Sequence, residues 1–200
     1  MPNTALASTP EAGRSPKAIG VWVNLLGYQS GWFVTVIGAN HGRTWPAWAA
    51  AGLLCGGHMA TSERRGLDVR LGLSAALLGT LLDGLWASSG LLRYSPAMPA
   101  VPLLGCPLWI LALWIAFSTT VSRSLGWLRG RIGMAALLGA VGGPLAYWGA
   151  ARGWGVVAFS TPAWEAVLAL GAGWGMSLGI LVSIFTRWSA GVAADPAPSE

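Results

Sequence analysis

The sequence predicts an all-α protein, a polytopic membrane bundle of six transmembrane helices with both termini cytoplasmic. Three observations lead there. Hydrophobic residues make up 54% of the 200 and charged residues only 10%, against roughly 25% charged in soluble domains. The apolar residues gather into six runs, each near the roughly 20 residues that a bilayer core requires. The Lys and Arg residues are unevenly shared between the connections. Nine lie in the N-tail, the 63–70 loop, the 123–131 loop and the C-tail, and three (Arg43, Arg93 and Arg152) lie in the alternate loops. That bias places the basic connections inside.

Residues 1–18 are rich in Pro, Ser, Thr and Ala without periodicity, as in a disordered cytoplasmic tail. Arg14 and Lys17 precede an apolar run, as in a signal peptide. That run, 19–39, is long for an h-region, and no small-x-small cleavage site follows it. The later spans are read at 44–61, 69–92, 102–122, 132–151 and 163–186, and 187–200 as a second disordered tail. Within lipid, backbone groups must be satisfied internally, so these spans are helices. Pro46, Pro102 and Pro162 sit at or near helix starts, where a missing N–H does least harm.

The third span carries an aspartate near its centre. Its nine leucines between Leu71 and Leu92 favour insertion by roughly 4–5 kcal/mol, and Asp83 opposes it by about 2.5–3.5 kcal/mol. The span inserts, and the carboxyl needs an internal partner or a wet cavity. At 1.5 Å per residue Asp83 lies about 18 Å from the cytoplasmic end and Gln29 about 15 Å, with Tyr147 slightly further out. The candidate interior polar site is therefore Asn24, Gln29, Asp83 and Tyr147, either a structural hydrogen-bonding centre or a functional one. In the fifth span Pro144 lacks an N–H and clashes with the carbonyl of residue 140, and Gly142 and Gly143 ease deformation. A kink or a helix break is expected at Gly142, Gly143 and Pro144.

Of the thirteen tryptophans, Trp22, Trp45, Trp48, Trp127, Trp154, Trp164 and Trp188 fall at span ends, where amphipathic rings anchor. Trp32, Trp86, Trp114 and Trp174 lie deeper. Glycines one turn apart (27/31, 52/56, 139/143, 171/175/179) let helices approach closely, within the chain or in a dimer. Residues 62–84 and 122–144 align without gaps at an offset of 60. A true repeat would set Asp83 and Gly84 level with Gly143 and Pro144.

Other chemistry is sparse. Ser118, Thr119, Thr120 and Ser122 form a hydroxyl cluster with no His or acid near in sequence to activate one. His41 and His58 fall on opposite sides in this topology. Cys55 and Cys106 fall in different spans. No metal-ligand spacing, P-loop or nucleophile elbow occurs. Glu63, Arg64, Arg65 and Asp68 read as a solvated cytoplasmic turn with its arginines near anionic lipid. Glu165 reads as an outer-interface residue. The net charge of +5 is spread as topology signals and not as a nucleic-acid face.

The runs NLLGYQSGWF (24–33), LLDGLW (81–86), TTVSRSLGWLRGR (119–131) and GGPLAYW (142–148) resemble a family of small polytopic bacterial inner-membrane proteins, a domain of unknown function spanning roughly 20–186. The resemblance implies a multi-span protein without an assigned activity. It also implies a lipid context, from genes encoded near cyclopropane-fatty-acid-synthase-like methyltransferases. It carries no catalytic residues. Where members often show Asn-His-Ser, this chain has Ser122, Arg123 and Ser124.

Three functional readings follow for such a bacterial inner-membrane, multi-pass protein. The first is a permease-like or substrate-binding membrane subunit built around Asp83. The second is an accessory or scaffold in membrane-lipid modification. An intramembrane enzyme is the third and least favoured. No cofactor or metal is expected. The expected partners are the lipid bilayer, a small-molecule or lipid ligand, and a second copy or membrane partner on the glycine-rich faces, with no nucleic acid.

Overall fold

The computed structural model describes residues 16–160 and 162–191. Of the tails expected at 1–18 and 187–200, residues 1–15 and 192–200 lie outside the described residues, whereas 16–18 and 187–191 are helical. Six α-helices follow in order: α1 (Pro16–Asn40), α2 (Trp45–Ala60), α3 (Arg65–Ser88), α4 (Leu108–Ser122), α5 (Ile132–Trp154) and α6 (Ala163–Gly191). Two short strands, β1 (Leu92–Tyr94) after α3 and β2 (Val157–Phe159) after α5, pair antiparallel with Arg93 opposite Ala158. Among the described residues α3, α5 and α6 are long and apolar enough to cross a membrane, the make-up of a membrane protein.

The helix faces show which solvent they meet. On α3 the residues Leu67, Leu71, Ala75, Gly79 and Asp83 recur every four positions and are all buried. Leu73, Leu77, Leu81 and Leu85 recur at the same spacing on the opposite face and are between 48% and 67% exposed. A helix in water turns polar residues outward; here both faces are apolar, as lipid contact requires. Exposed Leu137, Val141 and Leu145 on α5 and Leu168, Met176 and Ile180 on α6 continue the belt.

The centre of the bundle is α4. None of its residues is exposed, and α1, α2, α3 and α6 all pack against it. The expected span at 102–122 is shortened at its start. Residues 101–107 form a closed turn, with Gly105 N–H donating to Val101 and Val101 N–H to Cys106. Pro107 is extended just before the helix. Fifteen residues give about 22 Å of helix, less than a bilayer core, but a helix sheathed by protein need not match lipid. The span expected to reach 92 likewise ends at Ser88, where Gly90 adopts φ +76° and the chain enters β1.

The hairpins α3–β1–α4 and α5–β2–α6 are built alike. Gly79 faces the ring of Trp114, and Gly143 the ring of Trp174; a Cβ at either glycine would come within 2.2 Å of that ring. The two indoles stack on each other at 4.2 Å with 13° between planes. The residue facing Asp83 is Tyr147, one turn past the Gly143 that the ungapped alignment set there.

Of the kink or break expected in α5, the break is corrected. The helix runs from Ile132 to Trp154 with Gly142, Gly143 and Pro144 inside it. Pro144 frees the carbonyl of Ala140, and α6 closes over it. A Cβ on Gly171 would lie 3.2 Å from that oxygen, and one on Gly175 3.0 Å from the carbonyl of Ala136. Backbone packed so tightly on both turns holds α5 helical across the missing bond. Most of the glycine pairs thus serve contacts within the chain, whereas Gly52 and Gly56 on α2 face open space.

Candidate functional site

Asp83 is brought to the bundle axis by its place on the buried stripe of α3 and is 0% exposed. Three donors converge on it. Tyr94 of β1 donates to Oδ1 at 2.7 Å, Tyr147 of α5 to the same oxygen at 2.5 Å, and Trp114 Nε1 of α4 to Oδ2 at 2.7 Å. Burial, with Asp83 beside it, holds the Tyr94 phenol well above its ordinary range, so it remains a donor. Trp86 packs edge-on against Tyr147, and Trp174 stacks on Trp114. A buried carboxyl is costly unless its oxygens are bonded; here the bonding is complete and the shell around it is aromatic. The cluster ties α3, β1, α4 and α5 together.

The other two members of the expected site lie elsewhere. Asn24 is buried, but it donates to Thr119 Oγ1 at 3.1 Å and accepts from Ser124 Oγ at 2.7 Å, fastening α1 to the far end of α4. Gln29 is exposed. Five residues at 3.6 per turn put it about 140° around α1 from Asn24, so the two cannot share a partner. Gln29 borders a cavity of about 550 Å³ between α1, α4, α5 and α6, with Tyr28, Trp32, Phe117, Thr120, Ser124 and Leu178 also in its wall. Exposed Leu25, Leu138 and Leu145 rim it. Trp174 stands at this wall too, its ring against Tyr147.

A second polar cluster was missed in the sequence. The turn between α2 and α3 sets His58 beside Asp68, and the end of α4 adds Ser122. His58 Nε2 lies 3.0 Å from Asp68 Oδ1, and Ser122 Oγ donates to the same oxygen at 2.9 Å. Ser62 Oγ donates to Oδ2. Arg123 donates to Thr61 Oγ1 at 3.0 Å, closing the turn from outside. The carboxylate and the serine both meet Nε2, while Nδ1 is buried without a partner among the described residues. A nucleophilic triad needs its acid on the other ring nitrogen, so this is not one. An unmet buried ring nitrogen costs about 1–3 kcal/mol. The available signal was charged residues flanking one short loop. Among the described residues no group of three or more His, Cys, Asp or Glu could hold a metal ion.

A helical bundle with an exposed apolar belt and a polar cluster sealed at its centre has the character of a membrane protein. The chain belongs to the family described as "Protein of unknown function (DUF2878)", which it matches over residues 21–180. No curated protein and no solved structure matches it.

Proposed function

We propose that this is a multi-pass protein of the bacterial inner membrane, with six spans and both termini in the cytoplasm, that binds a lipid-like molecule between its helices. In this reading it is a substrate-binding subunit and not a catalyst. The observation that carries the reading is the 550 Å³ cavity between α1 and α5. Its walls are apolar and aromatic, its rim faces outward, and its polar residues are few, namely Gln29, Thr120 and Ser124. Such a lining suits an acyl or polyprenyl chain with one polar group. The permease variant is the less favoured reading, because both oxygens of Asp83 already hold donors. The outward-facing rim also supports the second reading, an accessory that presents lipid for modification.

The test is photolabelling in membranes with a diazirine-bearing fatty acid. Labelled peptides should concentrate at 138–146 relative to the lipid-facing control at Leu77. Gly142→Leu, placed where a side chain meets nothing within 4 Å, should suppress that labelling. Labelling spread evenly over all exposed helix faces would sink the proposal.

A further inference from the structure

We propose a second site, on the opposite side of α4, that binds a glycerophospholipid by its phosphate and one acyl chain. It stands independently of the cavity between α1 and α5. Helices α2 and α3 pack on α4 rather than on each other, so a crevice runs between them. Its deeper part is a cavity of about 250 Å³ lined by Cys55, Met59, Val69, Gly72, Leu73 and Ile115. Val69 and Leu73 are 50% and 67% exposed, so this part opens sideways toward lipid. Its outer part is a cavity of about 390 Å³ lined by Thr61, Ser62, Arg64, Ser122 and Arg123, with Glu63 at the edge.

His58 and Asp68 line both parts and form the step between apolar and polar. The Asp68 carboxylate is taken up by His58, Ser62 and Ser122, which leaves the two arginines facing one free acid, Glu63. That balance favours an anion, and guanidinium groups match phosphate oxygens in geometry as well as charge. The ring of His58 is buried, and its Nδ1 has no partner among the described residues. A neutral ring accepts at Nδ1 and a protonated one donates there. An amphiphile with its phosphate outward and its chain inward matches this order of surfaces.

The experiment uses the full chain in detergent, titrated with short-chain phosphatidylglycerol, diacylglycerol of the same chain length, and inorganic phosphate, each read by native mass spectrometry. Phosphatidylglycerol should bind about tenfold or more tightly than diacylglycerol, and the Arg64→Gln/Arg123→Gln pair should remove that advantage. Gly72→Leu, which fills the apolar part, should weaken phosphatidylglycerol and leave inorganic phosphate unchanged. Thermal melts identify any variant that fails to fold, and Arg64→Gln alone, at an exposed position, keeps the test open if the pair does. Gly142→Leu, in the other cavity, should bind as wild type, so failure of one site does not decide the other. Equal affinity for diacylglycerol and phosphatidylglycerol, or wild-type binding by the arginine variants, overturns the proposal. Inorganic phosphate bound with no gain from an acyl chain would overturn the lipid and leave a plain anion site.

Discussion

Tyr147 Oη stands 2.5 Å from Asp83 Oδ1, although 64 residues separate them in the chain. The contact closes a ring of donors around one carboxyl, and its energetics can be measured. Tyr147→Phe and Tyr94→Phe each remove one donor and should each cost about 1–3 kcal/mol in detergent unfolding. In a double-mutant cycle the pair should be non-additive, because both donate to one oxygen.

Asp83→Asn separates strut from functional charge. All three partners are donors, and an amide presents one acceptor oxygen and an NH2 group that can only donate. The variant should melt below wild type. At matched membrane abundance its photolabelling between α1 and α5 should be unchanged. Lost labelling in a folded variant would return Asp83 to a functional role.

Glycine positions divide by what they face. Gly143→Ala drives a methyl into the Trp174 ring and Gly79→Ala into Trp114, and each should destabilise by about 1–3 kcal/mol or more. Gly52→Ala meets nothing within 4 Å and should be neutral or stabilising by up to about 1 kcal/mol, as alanine favours helix. Equal losses at all three positions would remove the packing argument.

Asn24→Ala should loosen α1. It strands the hydroxyl of Ser124, while Thr119 keeps its bond to the Ala116 carbonyl, so a loss of about 1–3 kcal/mol is expected. Hydrogen exchange should rise in α1 before it rises in α3. Uniform exchange across both helices would contradict the separate role given to this amide.

Orientation is checked with reporters. A reporter active only in the periplasm should be silent at Glu200 and active when inserted near Arg93. The reverse pattern would invert the orientation inferred from the basic loops.

Much of this was legible, and the exceptions have physical reasons. Apolar runs gave the helix order, because bilayer length and backbone satisfaction leave few alternatives. They could not show that 102–107 is a folded turn, since Val101, Leu103 and Leu104 are apolar whether helical or not. Strands of three residues are too short to show alternation. Depth along the helix paired Asp83 with Tyr147, but depth ignores rotation, and rotation sends Gln29 outward and Asn24 to Thr119. Tyr94 and Trp114 were missed for different reasons: one comes from a loop that folds back, the other was read only as a deep indole. His58, Asp68 and Ser122 meet through a turn and a third helix, a proximity that linear spacing does not show.

The ring around Asp83 also sets an order of events during synthesis. The acid enters the membrane with α3, before β1, α4 and α5 have been made. At 5–20 residues per second, the 64 residues up to Tyr147 take roughly 3–13 s. Throughout that interval the nascent chain holds a carboxyl in lipid without its full set of donors. A chain cut short before residue 147 never acquires that set.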